Sequence, residues 1–159
     1  EPVDLGTLLG EVRSDMAPAL ADAGARLETG PLSTVTADPQ QLRLLFRNLI
    51  ENALKYRRDE PPVVRIEERD PNDPAICTIL VRDNGRGFTP ETAERMFTIF
   101  DRTTDGCVPG TGIGLAICRR IVERHGGHIH ATADPNVGAT FTMELAREGV
   151  DLEPGANFS

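Results

Sequence analysis

Tryptophan is absent from this chain, tyrosine occurs once, and the three cysteines, Cys77, Cys107 and Cys118, are an odd number at no metal-ligand spacing. So few aromatics leave stacking platforms for single-stranded nucleic acid largely absent. The cysteine usage speaks against a disulfide framework and fits a reducing compartment, so a cytoplasmic location is expected. Positive charge is scarce as well. Lys+Arg 17 against Asp+Glu 25 gives a formal charge of −8 and a pI near 4.9. That balance argues against general binding to nucleic acid or an anionic membrane surface, while a small anion remains open because local geometry overrides net charge. No apolar run approaches the roughly 20 residues that span a bilayer, and no secretory signal opens the chain.

What is present suffices for one domain. The 159 residues are 39% hydrophobic and 26% charged, which supports a packed core and excludes wholesale disorder. Because the chain starts at Glu1, it is expected to be a piece of a longer protein, with a domain over 1–147 and a polar tail over 148–159. Asp4 reads as the N-cap of a helix over Leu5–Ala23, which Pro18 kinks or shortens. Strands over Ala25–Thr29 and Ser33–Thr36 flank the turn signal Gly30-Pro31. Asp38-Pro39 then opens a second helix that runs to about Tyr56. Strands follow at Val63–Glu68 and Ile76–Arg82, then a short helix at Glu91–Phe97 and a loop at Thr103–Gly110. A helix from Thr111 to His125 is stopped by Gly126-Gly127, and a hairpin of His128–Ala133 with Ala139–Leu145 closes the chain. This order is not the strict alternation of a doubly wound sheet. It predicts an α+β sandwich, a mixed sheet of about five strands covered on one face by about three helices.

Three segments carry chemistry. On the second helix, Asn48, Asn52, Lys55 and Tyr56 share one side, while Leu42, Phe46, Leu49 and Ala53 share another and face the core. Asparagine is a poor mid-helix residue because its side chain competes for backbone hydrogen bonds. Two of them one turn apart, followed by a lysine, fit an amide that ligates a hard cation such as Mg²⁺ with Lys55 answering a phosphate, or else a merely wet helix face. Asp83-Asn-Gly85-Arg-Gly87-Phe88 follows an apolar strand. Its glycines let backbone approach a flat ligand and its carboxylate can accept from an exocyclic amine; an ordinary Asn-Gly turn uses the same letters. Gly110-Thr111-Gly112-Ile113-Gly114-Leu115 leads into an apolar helix, whose N-terminal amides and dipole favour phosphate. A dinucleotide fingerprint needs a strand before it and a Walker A loop needs Gly-Lys-Ser/Thr after it. Neither is found, so the phosphate inference stands without those motif names.

In this order the segments resemble the ATP-binding catalytic domain of bacterial sensor histidine kinases, in the wider group of gyrase-type ATPases, Hsp90 and mismatch-repair ATPases. Asn48 to Tyr56 is similar to the asparagine box, Asp83 to Phe88 to the first glycine box, and Met96 to Arg102 to the phenylalanine box. Gly110 to Leu115 resembles the second glycine box, and Gly138-Ala-Thr140-Phe141 a final Gly/Thr box. The wording Leu45 to Ile50 and Lys55-Tyr56-Arg57, with Pro61-Pro62 after it, is most similar to kinases attached to phytochrome or PAS sensors. The resemblance implies a Bergerat-type two-layer α/β sandwich with a mobile ATP lid. It implies Asn52 as the Mg²⁺ ligand with Asn48 beside it, Lys55 neutralising phosphate, and Tyr56 packing on adenine or ribose. Asp83 would bind the adenine amino group, with Thr140 nearby through water, and Gly85, Gly87 and Phe88 would line the base. Arg102 would contact the γ-phosphate or a partner helix, completing a catalytic set with Asn48 and Lys55. Gly110, Thr111, Gly112, Ile113, Gly114 and Leu115 would cradle the phosphates as the lid closes.

The implied reaction is transfer of the γ-phosphate of Mg-ATP to a histidine on a separate hairpin domain, of the same or a partner protomer, with a response regulator downstream. His125, His128 and His130 read as structural, His125 as a protonated ring suiting a helix dipole at its C-terminal end. None precedes an acidic residue in an apolar helix, so the acceptor is expected outside this chain. The fragment itself is expected to be a monomer without nucleic-acid or membrane contact. Two alternatives are an anti-sigma-type serine kinase, which the full phenylalanine box disfavours, and a nucleotide-sensing module without phosphotransfer. A gyrase-like hydrolase would carry a glutamate base where Asn48 stands, and an amide cannot deprotonate water. The lid stretch Thr103 to Pro109 has no basic residue, which leaves phosphate to Lys55 and Arg102 and points to modest affinity or a mobile lid. Cys107 there reads as an incidental thiol.

Overall fold

Local capping and hydrophobic periodicity decide where the first elements lie. In the computed structural model the described residues are 1–55, 57, 59–69, 71–85, 111–134 and 138–147, with the backbone alone described at 111–114, 133 and 134. Oδ1 of Asp4 accepts from the Thr7 amide at 3.1 Å and starts α1 (Leu5–Asp15). The helix breaks at Met16, and Pro18 sits in the first turn of α2 (Ala17–Ala23), where its missing N–H costs nothing. Gly24, at φ 64°, ends α2 in the left-handed conformation. One long helix of the sequence is thus two.

Strand β1 (Pro2–Asp4) belongs to no element that the sequence predicts, because three residues are too short to show a period. It pairs antiparallel with β3 (Thr34–Thr36), Val3 opposite Val35. Strand β2 (Arg26–Thr29) lies instead in a second sheet with β4 (Val63–Arg69), β5 (Ile76–Asp83), β6 (Ile129–Asp134) and β7 (Gly138–Ala146). Its order is β2-β4-β5-β7-β6, parallel only between β2 and β4 and antiparallel elsewhere. The five-stranded mixed sheet is therefore as expected, with a two-stranded ribbon added.

The pleat sorts the sheet into two faces. Val64, Ile66, Ile79, Val81, Phe141, Met143 and Leu145 point one way and pack with Leu9 and Val12 of α1, with Leu42, Phe46 and Leu49 of α3 (Pro39–Lys55), and with Leu115 and Val122 of α4 (Thr111–Arg124). The alternate positions are mixed, with Arg65, Glu67, Arg82 and Glu144 alongside Leu80, Thr142 and Ala146, which are buried. Glu67 there faces Arg82 at 3.3 Å and Arg65 at 3.7 Å, while α1, α3 and α4 pack against the opposite, core face. Among the described residues no helix is long and apolar enough to cross a membrane.

A buried polar knot joins the ribbon to the sheet. Arg147, just after β7, pairs with Glu68 of β4 at 2.9 Å, their side chains 13% and 3% exposed. The amide and hydroxyl of Ser33 donate to Glu68 at 2.9 and 3.0 Å, and Arg147 also donates to the Ser33 hydroxyl and to the Asp73 carbonyl. Thr36 Oγ1 donates to the Arg147 carbonyl. Burial pushes the Glu68 carboxyl up, but the bonds from Ser33 and Arg147 outweigh it and hold it below the usual carboxylate range.

Candidate functional site

Helix α3 starts where the sequence predicts. Oδ1 of Asp38 accepts from the amides of Gln40 and Gln41 at 2.9 and 3.3 Å. Leu42, Leu45, Phe46, Leu49 and Ala53 bury one side of the helix. Of the residues on the other side, Lys55 is exposed and Asn52 is 8% exposed. Asn48 is half-buried, and its Nδ2 is shut from solvent with no hydrogen-bond partner. A buried unpaired donor costs about 1–3 kcal/mol, which an oxygen-rich anion beside the helix would offset. Lys55 is also the chain's only lysine.

Two contacts show how α4 lies against α3. Nε2 of His125, just beyond α4, accepts from the Asp38 amide at 3.1 Å, and Sγ of Cys118 lies 3.6 Å from the Leu45 carbonyl. Equal seven-residue steps along both helices make them antiparallel. The same spacing, carried one step further, runs the start of α4 at Thr111 toward Asn52. The amide-rich N-terminus of α4 thus points toward the asparagine end of α3.

Asp83 comes to the same end. The link after Lys55 returns to Val63, where β4 begins, and Asn84 clasps that return by accepting from the Val63 amide at 2.8 Å and donating to the Pro61 carbonyl at 3.2 Å. Asp83 closes β5 opposite Val64 on one side and Ala139 on the other. Its Oδ1 accepts from the amides of Gly85 (2.8 Å) and Ala139 (3.3 Å), while Oδ2 has no partner among the described residues. Burial pushes this carboxyl above its usual range, and the two amides only partly pull it back. Gly138 permits the closure. A Cβ there would lie 2.0 Å from the Asp83 carbonyl oxygen, at a φ of 148°.

The structure brings Asn48, Asn52, Lys55, Asp83, Gly85 and the start of the 111–115 segment to one end. It overturns the placement of Thr140. Register pairs Thr140 with Arg82 and Ala139 with Asp83, so the pleat turns the threonine to the face opposite the core, and the Ala139 amide meets Asp83 instead. Leu115 is 1% exposed inside the core, an anchor for α4. His125 is also corrected. Its Nε2 accepts a backbone N–H, so the ring is neutral, with its proton on Nδ1, 2.7 Å from the Ile121 carbonyl. Tyr56, Gly87, Phe88, Arg102 and Gly110 lie outside the described residues, as do the 91–97 helix, the phenylalanine box, the lid with Cys107, and the tail. Asn84, Gly138 and the Ala139 amide were not singled out as site residues from sequence. The Asn-Gly pair hinted at Asn84, but the other two depend on register.

Among the described residues no group of His, Cys, Asp and Glu is built to hold a metal. The donors on hand for a cation are the amide oxygens of α3 and the oxygens of a bound anion, which suits a hard ion such as Mg²⁺.

Residues 37–149 match the family model described as histidine kinase-, DNA gyrase B-, and HSP90-like ATPase. This chain belongs to that family. It is 39% identical over 150 residues to cyanobacterial phytochrome A of Nostoc sp., covering 94% of this chain and 19% of that protein. To the adaptive-response sensory kinase SasA of Prochlorococcus marinus it is 34% identical over 151 residues, 90% of this chain and 40% of that one. This domain therefore spans about a fifth to two fifths of the relatives it matches. Its backbone is similar to the catalytic domain of histidine kinase ThkA in a nucleotide-free form, with a TM-score of 0.75 and 26% identity over 92% of this chain and 97% of that one. The full-length kinase ShkA in complex with AMPPNP gives a TM-score of 0.77 at 30% identity, over 97% of this chain and 32% of ShkA. The domain is thus an α+β catalytic domain of the histidine-kinase type, from a family of ATP-binding domains.

Proposed function

We propose that this domain binds Mg-ATP at the end of the sandwich where α3, α4 and β5 meet, and presents its γ-phosphate to a histidine on a separate hairpin domain of the same or a partner protomer. The observation that carries the reading is one convergence. A half-buried carboxylate with one oxygen unpartnered among the described residues, an orphaned amide and a helix N-terminus, all toward one end of the fold, are what an amine-bearing base and a phosphate chain require. Asp83 accepts from the adenine amino group through Oδ2 while Gly85 and Ala139 hold Oδ1. Gly85, with Gly87, Phe88 and Tyr56 from the sequence motifs, lines the base. Asn48 donates Nδ2 to a phosphate oxygen, Lys55 neutralises charge, and the backbone of Gly110, Thr111, Gly112, Ile113 and Gly114 cradles phosphate, with Arg102 at the γ position. Mg²⁺, with Asn52 as its protein ligand, supplies neutralisation of the phosphate charge. Phosphoryl transfer needs such positioning and electrostatics more than covalent chemistry from the protein.

The acceptor histidine is expected beyond 1–159, and a response regulator takes the phosphate next. The solved relative with AMPPNP supports ATP as the nucleotide. The domain over 1–147, its polar tail, its cytoplasmic location and its monomeric state belong to the same proposal. Calorimetric titration with AMPPNP, with and without Mg²⁺, tests it. Wild type binds, Asp83→Ala abolishes binding, and Asn52→Ala removes the Mg²⁺ dependence. No binding by wild type at millimolar nucleotide overturns the reading.

A further inference from the structure

The end of the α3–α4 pair remote from the nucleotide site is held by a side chain that the proposed chemistry leaves unused. One neutral ring, that of His125, satisfies two backbone groups at once. Its Nδ1–H donates to the Ile121 carbonyl in the last turn of α4, and its Nε2 accepts from the amide of Asp38, the residue that caps α3. Asp38 is itself anchored. Its carboxylate holds the first amides of α3, and the preceding Ala37 amide donates to the Glu1 carbonyl at 2.9 Å. Between the clamp and the site the two helices share a close-packed seam that includes Leu42, Leu45, Cys118 and Val122, all fully buried. Asn52 lies 14 residues beyond Asp38 on α3, about 21 Å along a stiff rod. A slide or tilt at the His125 end therefore reappears at the asparagines.

We propose that His125 is a positioning residue for the nucleotide site. In its Nδ1–H tautomer it sets the register of α3 against α4, and so sets where Asn48 and Asn52 stand relative to the amides of 111–114. The inference rests on the ATP reading above and adds to it a residue that touches no ligand.

The test uses His125→Phe, which keeps a ring without either bond, and His125→Gln, which restores a donor and an acceptor on one amide. Folded His125→Phe should bind AMPPNP about tenfold more weakly, and His125→Gln should recover part of the loss. The side-chain amide NMR signals of Asn48 and Asn52 should move in the phenylalanine variant even without nucleotide. A folded His125→Phe that binds like wild type and leaves those signals unmoved overturns the proposal. If wild type binds no AMPPNP, the ATP reading falls, and the asparagine signals still decide the clamp. If neither variant folds, wild-type imidazole ¹⁵N shifts decide it. Unprotonated Nε2 scalar-coupled to the Asp38 amide supports the clamp, and a proton on Nε2 overturns it.

Discussion

The two ends of the same strands bury carboxylates in opposite conditions. At one end Glu68 of β4 receives the Ser33 amide and hydroxyl and the Arg147 guanidinium, and its carboxyl sits below the usual range. At the other, Asp83 of β5 has two amides on one oxygen and, among the described residues, no cation, and its carboxyl sits above that range. A satisfied buried network holds structure together, whereas a half-satisfied one is a cost that a ligand can relieve. The contrast separates stability from proposed function within one sheet: the knot fastens the ribbon to the core, and the opposite end leaves the polar atoms that the proposed nucleotide would engage.

The largest effect should come from breaking the knot. Arg147→Ala strands a nearly buried Glu68 and should cost about 3–5 kcal/mol in chemical denaturation, while any molecules that remain folded keep their AMPPNP affinity. At the site the balance reverses. Asp83→Asn should lower AMPPNP affinity by about a hundredfold, roughly 2.7 kcal/mol, yet leave the melting temperature unchanged or raised, because it removes a charge that burial disfavours. A large fall in melting temperature would contradict the contrast. Gly138→Ala should damage both ends of the argument, since its Cβ meets the Asp83 carbonyl. A loss on the order of 2 kcal/mol or more in stability together with weaker nucleotide binding is expected, read by melting and titration.

Acid titration sharpens the comparison further. Glu68, held low, contributes stability that is present above the usual carboxylate range and is lost as pH falls through its lowered value. Asp83, held high, works the other way: its contribution favours folding below the usual range and disappears as pH rises through the usual value to the raised one. Asp83→Asn should therefore gain stability relative to wild type as pH climbs through that window. Nucleotide binding, which needs the ionised acceptor, should fail on acidification at a higher pH than an ordinary aspartate would allow. The smallest effect on stability is expected at Lys55. Lys55→Ala should stay within about 0.5 kcal/mol of wild type but weaken AMPPNP several-fold. As the only lysine, Lys55 is also the only side-chain amine for an acylating reagent, and AMPPNP should protect it.

Much of this was legible in the letters. Asp4 and Asp38 cap the helices they were read to cap, because capping is a contact over two or three residues. The break near Pro18, the stop at Gly126-Gly127 and the apolar runs that became β5 and β7 are likewise local. The misses were tertiary. Strand β1 is too short to carry a period and exists through its pairing with β3. Thr140 was assigned to Asp83 from its place in a motif, but a one-residue difference in register sends a strand side chain to the opposite face. His125 was read as a charged ring at a helix end, and only the approach of the Asp38 amide makes it neutral.

The sequence by itself determined the helices, the sheet's apolar pattern and the order of the ATP-domain boxes, because caps, periodicity and glycine placement act between neighbours in the chain. Tertiary structure alone decided which polar atoms are left wanting. Whether Asp83 or Asn48 finds a partner depends on strands and helices distant in sequence, and so on register and packing that no local rule specifies.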